Sequence, residues 1–304
     1  MSKIDTQKQK ILIVGSNGML GQRLIEHYLT DENTDLLCSS IEEKSLIENV
    51  NYFCADITDK KTIGKIIKEF KPDFIINAAA YTDVDRSETE RVLAQKINVE
   101  GVANLANYSS VVNSHLIYIS TDYVFDGIKG PYSEDDIPNP INYYGKTKLA
   151  GENAIKKYDT KHTILRTNVL FGLGKNVKSD FVKWFIESLR NNKPVQIVDD
   201  QINNPTYVDD LVDAIGRVIE YKKKGLFNIG GAEFLNRYEF ALRIADFFGF
   251  DKSLITPVKT EVFNQPARRP LKSGLITLKA ETELGYKPSS YEEIFIKIKK
   301  RMSV

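Results

Sequence analysis

The chain has 304 residues, 42% of them hydrophobic, and sets 42 Lys and Arg against 41 Asp and Glu for a net charge of +1. That length buries a large core, as one big domain or two unequal ones. The balanced charge excludes a general nucleic-acid or membrane-surface binder.

The amino terminus is polar and runs straight into a strand-like run, residues 10–14. No signal-peptide core or membrane-length apolar span appears, so a cytoplasmic protein is expected. After GSNGMLG and a helical stretch, QRLIEHYLTDE, strands are predicted at 35–39 and 50–55, with Cys38 and Cys54 in them. Both cysteines are expected to be buried thiols rather than a disulfide. The helix KKTIGKIIKEF leads to an apolar strand at 73–77, then a helix through ERVLAQKINVEGVANLANYSS, the strand HLIYIST, a helix through YYGKTKLAGE and the strand HTILRTNVLF. Apolar strands alternating with amphipathic helices predict a doubly wound parallel sheet covered on both faces. Past residue 171 the rhythm changes: FGLGKNVKSDFVKWFIESLRNNKP reads as loop and helix, VQIVDDQINNPTYV as a strand and polar turn, DDLVDAIGRVIEYKKK as a helix, GLFNIGG as a strand and YEEIFIKIKKRM as a last helix. Residues 1–170 are therefore expected to form a dinucleotide-binding domain to which 208–231 returns. Residues 171–207 and 232–304 are expected to form a smaller α/β domain. His27, His115 and His162 share no metal-ligand spacing with the cysteines, so no metal site is predicted.

Gly15, Gly18 and Gly21 lie between the first strand and the first helix, where backbone N–H groups can approach a pyrophosphate. Asn17, Met19 and Leu20 belong to the same turn and are candidate cofactor contacts. Asp56, followed by Ile57, can accept from an adenine amino group or cap the next helix, and Ala78, Ala79 and Ala80 let a ribose and phosphate pass closely at the sheet edge. The second strand ends at Cys38, Ser39 and Ser40 without an acid or Arg; the hydroxyls can bond a 2′-phosphate, and Lys44 or Arg23 can add charge. The cofactor is NADP or NAD, with NADPH slightly favoured.

Tyr144 and Lys148 stand at helical i, i+4 spacing, which puts phenol and ammonium on one face. A nearby ammonium favours the phenolate, lowering a pKa that starts near ~10. Such a phenol can exchange a proton with a substrate oxygen.

In this order and spacing, GxxGxxG, NAAA, INVEG, STDYVFDG and YYGKTKLAGE resemble the extended short-chain dehydrogenase/reductase superfamily over nearly the whole chain. NAAAYTDVDRSE, STDYVFDGIKGPYSEDD, QINNPTY and ARRPLKS are most similar to the dTDP-4-dehydrorhamnose reductase family. The resemblance implies a Rossmann-like sheet with a smaller C-terminal substrate domain, and NAD(P)H-dependent reduction of a nucleotide-linked 4-keto-6-deoxy sugar. It implies Thr121 as the hydroxyl on the reacting carbonyl and Tyr144 as the acid. Lys148 would hold the nicotinamide ribose and depress the phenol, and Asn98 would relay protons through water. It places Tyr81, Thr82, Asp85, Asp122 and Tyr123 toward the sugar, and Pro205, Thr206 and Arg269 toward a nucleotide diphosphate. A homodimer is among the assemblies it allows. Some relatives dimerise with Mg²⁺, but no acidic cluster here identifies such a site.

Two positions depart from the family pattern. Val169 stands where a Trp is usual, which removes an expected aromatic wall for the hexose. Asn203 replaces a usual Gly, a mild change because Asn tolerates left-handed backbone. A nucleotide-sugar epimerase on the same fold and a non-catalytic subunit like that of methionine adenosyltransferase are the alternatives; YTDVD and STDYVFDG favour the reductase over the epimerase, and the complete Thr121, Tyr144 and Lys148 set argues against lost catalysis.

Overall fold

The computed structural model describes residues 8–177 and 180–302; Lys178 and Ser179, in the loop expected near 171–180, lie outside them. The first half alternates β1 (Gln9–Val14), α1 (Met19–Tyr28), β2 (Thr34–Ser40), β3 (Asn51–Cys54), α2 (Lys60–Phe70) and β4 (Phe74–Asn77). It continues with α3 (Arg91–Gln95), a π-helical stretch (Lys96–Gly101), α4 (Val102–Val112), β5 (His115–Thr121), α5 (Tyr143–Ile155) and β6 (Lys161–Thr167). Beyond it lie α6 (Phe181–Arg190), β7 (Val195–Val198), β8 (Ile202–Asn203), α7 (Val208–Tyr221), β9 (Gly225–Ile229), β10 (Leu235–Asn236), α8 (Arg237–Phe248), β11 (Ile255–Val258), α9 (Leu278–Leu284) and α10 (Tyr291–Met302).

Seven strands form one sheet in the order β3-β2-β1-β4-β5-β6-β9, with every neighbouring pair parallel. The order reverses at β1, and the crevice outside the carboxyl ends of β1 and β4 is the switch point where such sheets bind ligands. Alternate residues feed two cores: Leu12, Ile75 and Leu116 pack with Ile63 of α2 and Leu105 of α4, whereas Ile11, Ile76 and Ile117 pack with Leu24 of α1 and Leu211 of α7. Burial on both faces explains why these strands read as continuous apolar runs. β9 adds the seventh strand beside β6, and the small pairs β7–β11 and β8–β10 lie outside the main sheet.

Several expectations need correction. The sixth strand stops at Thr167, so Val169 lies past its end, with a positive φ of 38°. The helix expected through INVEG is interrupted by the π-helical stretch, a type of irregularity frequent at functional sites. Asn203 is a strand residue paired with Leu235, so left-handed tolerance does not account for it. Cys38 is buried, but Cys54 is exposed on β3 with its thiol directed to the Ile41 carbonyl at 3.4 Å.

Candidate active site

The glycine turn closes against the end of β4. Gly15 has φ +80°, and a Cβ there would lie 2.5 Å from the Ala79 nitrogen, so only glycine fits between β1 and the Ala78–Ala80 run. Gly18 is the N-cap of α1, Met19 opens the helix and Leu20 is buried in the core. Asn17 clamps the chain beyond β2: its Nδ2 donates to Glu42 Oε2 (3.0 Å) and the Lys44 carbonyl (2.9 Å), and its Oδ1 accepts from Leu46 N (2.9 Å). Three buried polar atoms at the ends of the adjacent strands, Ser16 Oγ, Ser39 Oγ and Asn77 Nδ2, have no hydrogen-bond partner among the described residues. Such buried groups normally are satisfied. Together with the Gly15 cradle they suit a pyrophosphate and ribose.

Other predicted contacts fall differently. Asp56 accepts from Thr58 N at 2.8 Å, while the N-cap of α2 is Asp59, so the capping alternative for Asp56 is excluded. Ile57 is buried in the core beneath it. Arg23 is paired with Asp209 of α7 at 2.7 Å and with Glu26, so its charge is already engaged away from the end of β2. Glu42, two residues beyond the end of β2, brings a carboxylate to the glycine turn through Asn17.

Thr121 ends β5, and Asn142 caps α5 by accepting from Gly145 N at 2.8 Å. A Cβ on Gly145 would overlap the Tyr123 carbonyl, so its absence lets α5 approach the turn that follows β5. The helix thereby brings Tyr144 against Tyr123, with ring centroids 5.8 Å apart, edge to face. Burial pushes the Tyr144 phenol up, and a hydrogen bond with Thr121 partly offsets this. The lowered phenol expected from the Tyr/Lys spacing is therefore not present in this state. Lys148 is 2% exposed, donates to the Ile119 carbonyl at 2.7 Å and lies 4.2 Å from the Tyr118 ring centroid. Burial lowers its pKa to about 7, against the opposing pull of Glu152 one turn along. Glu152 is itself held by Ser120 (2.6 Å) and Arg166 (2.8 Å).

Asn98, on the π-helical stretch, is buried and fully engaged: its Oδ1 accepts from Tyr81 N (2.9 Å), and its Nδ2 donates to the Tyr81 carbonyl and to Thr147 Oγ1, each at 3.0 Å. It braces the loop after β4 against α5. Tyr81 donates its hydroxyl to Glu90 at 2.6 Å.

A cavity of about 630 Å³ opens beside this cluster. Of the residues predicted to contact substrate, Thr82, Asp85, Tyr123 and Arg269 line it, and Tyr123 connects it to Tyr144. Asp122 is buried directly behind Thr121. Pro205 and Thr206 are buried rather than in the lining: Thr206 Oγ1 meets Thr167 Oγ1 at 2.8 Å, and the Pro205 carbonyl faces Gly231. Val169 does not line the cavity either; besides Tyr123, the cavity's aromatic surfaces are Phe181 and Trp184 of α6 and Phe263. Arg237, the first residue of α8, adds a second cation and lies 5.3 Å from the Phe181 centroid. Because α6 is amphipathic, its lining residues read in sequence as ordinary helix positions.

Comparison with known proteins bears on this arrangement. The pattern described as the RmlD substrate binding domain matches residues 9–303. The dTDP-4-dehydrorhamnose reductase of Aggregatibacter actinomycetemcomitans is 34% identical over 295 residues, spanning 93% of this chain and 96% of that protein. Methionine adenosyltransferase 2 subunit beta of Bos taurus is 32% identical over 286 residues, spanning 92% of this chain and 84% of that protein. The crystal structure of dTDP-4-dehydrorhamnose reductase from Bacillus anthracis in complex with NADP matches with a TM-score of 0.86 and 33% identity, covering 97% of this chain and all of that one (100%).

Proposed function

The chain belongs to the RmlD substrate-binding-domain family, and on that premise we propose that it reduces the C4 keto group of a nucleotide-linked 4-keto-6-deoxy sugar with NADPH or NADH, converting dTDP-4-dehydro-L-rhamnose to dTDP-L-rhamnose. The observation that carries this reading is the meeting of Thr121, at the end of β5, with Tyr144 on α5, joined to the cavity through Tyr123 and lying at the same carboxyl edge of the sheet as the glycine turn. When bound, the reduced nicotinamide supplies the hydride. Tyr144 gives its phenolic proton to the oxygen formed at C4, a general-acid step. Lys148, fixed by the Ile119 carbonyl, presents its amino group one turn from that phenol. Arg237 supplies positive charge for the diphosphate, and Arg269, held by Asp85, adds the N–H donors that this pair leaves free; planar guanidinium groups suit such an anion. The aromatic side chains of α6 offer a face for the base.

In this reading residues 1–170, with the returning 208–231, hold the cofactor, and 171–207 with 232–304 hold the sugar nucleotide. The reaction belongs in the cytoplasm, with a homodimer as the assembly to look for. Oxidation of NADPH and of NADH, each followed by absorbance with dTDP-4-dehydro-L-rhamnose supplied, tests the proposal and ranks the cofactors. Silence with both, in protein that binds cofactor, would overturn it. The likeness to the methionine adenosyltransferase subunit favours a second, non-catalytic reading. Copurification of that transferase without sugar reduction would select it.

A further inference from the structure

We propose that Asp122, held by Ser273 from the C-terminal segment, sets the direction of the Thr121 hydroxyl and so acts as a positioning residue for the reduction. The inference rests on the reductase reading above. Ser273 is 1% exposed, and its Oγ donates to Asp122 Oδ2 at 2.6 Å. Its strand of chain is strapped in place on both sides: Ser273 N donates to the Ile202 carbonyl (3.0 Å) and Lys272 N to the Gly127 carbonyl (2.9 Å). Asp122, also 1% exposed, places its other oxygen, Oδ1, 3.0 Å from Thr121 Oγ1. Thr121 Oγ1 in turn accepts from Tyr123 N at 3.2 Å.

Counting donors fixes what this chain can do. A threonine hydroxyl has one hydrogen and two lone pairs. The Tyr123 N–H occupies one lone pair, leaving a hydrogen and a lone pair to divide between Asp122 and the reacting side. An ionised carboxylate is an acceptor only. It therefore takes the Thr121 hydrogen and leaves a lone pair facing Tyr144 and the sugar carbonyl. A protonated Asp122 reverses this. Because Ser273 already donates to Oδ2, the carboxyl proton sits on Oδ1 and is donated to Thr121, freeing the Thr121 hydrogen for the carbonyl oxygen.

Burial brings the protonated state within reach of neutral pH. Burial raises the Asp122 pKa to about 7, opposed by the Ser273 and Thr121 hydrogen bonds and by the charge of Arg237 from α8. Tyr144 on α5 and Tyr123 on the same turn are the other titratable groups that face it.

Two measurements test the inference. The first needs no substrate: the carboxyl carbon resonance of Asp122, identified by its loss in Asp122→Asn, is followed against pH in the whole protein and in Ser273→Ala. Titration near neutrality, moving upward when the Ser273 donor is removed, is expected. Titration in the ordinary range near ~4 overturns the inference whether or not the sugar is reduced. The second is kcat against pH at saturating cofactor. Asp122→Asn presents an amide N–H to Thr121 at every pH, with its oxygen turned to Ser273. The ratio of alkaline to acid kcat should rise several-fold in that variant, and the alkaline decline should move to higher pH in Ser273→Ala. An active enzyme whose profile is unchanged in both variants overturns the positioning role while leaving the reductase reading intact.

Discussion

Arg269 meets Asp85 in two hydrogen bonds of 2.7 and 2.9 Å across 184 positions of sequence, tying the C-terminal segment to the loop after β4 at the cavity wall. Asp85 also accepts from Ala267 N at 3.1 Å, so one carboxylate sets both the backbone and the guanidinium of this segment. Trp184, the chain's single Trp, lines the same cavity and is 42% exposed, which makes its fluorescence a direct reporter of occupancy. Arg269→Ala should weaken nucleotide-sugar binding by about 10-fold or more, the size of a lost charged hydrogen bond. Asp85→Ala should weaken it less, since the cation remains but is no longer aimed. Equal affinity in Arg269→Ala, read by Trp184 quenching, would remove Arg269 from the ligand contacts.

Tyr144→Phe deletes the proton donor and keeps the ring against Tyr123. Turnover should fall by about 10²–10⁴-fold, the usual worth of a positioned acid. Cofactor affinity should stay within a factor of about two, because the phenyl ring preserves the packing. A variant that turns over like the parent would assign the acid elsewhere.

Much of this was legible in sequence because it depends on local pattern. Unbroken apolar runs such as Ile11–Val14 announce strands buried on both faces, and the glycine turn announces its own conformation, as Gly15 bears out. The fold class, the family and the reductase activity follow from motifs of that kind. What failed depends on distant parts of the chain. In sequence Arg23 reads as available charge, but Asp209 of α7 engages it. Pro205 and Thr206 read as ligand contacts in sequence, but Thr206 bonds β6 and β9, and Pro205 is buried against Gly231. The i+4 lysine alone predicts a lowered phenol, whereas burial dominates its pKa. The cavity's aromatic wall came from α6 rather than from position 169, and helical periodicity cannot say which side of a helix faces a cavity and which a core.

Lys148 should show a conflict between stability and function. Its pKa in the fold is about 7, below the ordinary 10.5, so the unfolded chain binds its proton more tightly. The linkage sign then requires ligand-free stability to rise with pH between about 7 and about 10.5. Lys148→Met should flatten that rise in urea titrations, while lowering turnover and weakening cofactor binding. An unchanged pH slope would mean that the ammonium is better solvated than its burial indicates.

His115 carries a stability effect far from the site. It is buried on β5 beside Phe74 and hydrogen-bonds Thr163 at 2.8 Å, and burial lowers its pKa to about 4. The fold therefore favours neutral imidazole. Stability is full above the unfolded value near ~6.5 and is lost as pH falls toward 4, by up to about 3 kcal/mol. His115→Gln should shrink the loss between about pH 7 and about pH 5, measured by chemical denaturation. A loss of the same size in both proteins would place the acid sensitivity on other groups.

Val169 is a β-branched residue at φ 38°, immediately past the strand that ends at Thr167. A left-handed conformation costs an ordinary L-residue about 1–2 kcal/mol, and β-branching makes it worse. Asparagine tolerates the same backbone, so Val169→Asn should stabilise the protein by about 1 kcal/mol, or about 2–4 °C in Tm. Val169 is only partly buried, which limits the packing that the exchange gives up. A fall in Tm would show that valine's contacts outweigh the strain. A rise in Tm together with a loss of turnover would show that the strain is part of how the segment after β6 meets substrate, as strained backbone at functional sites often is.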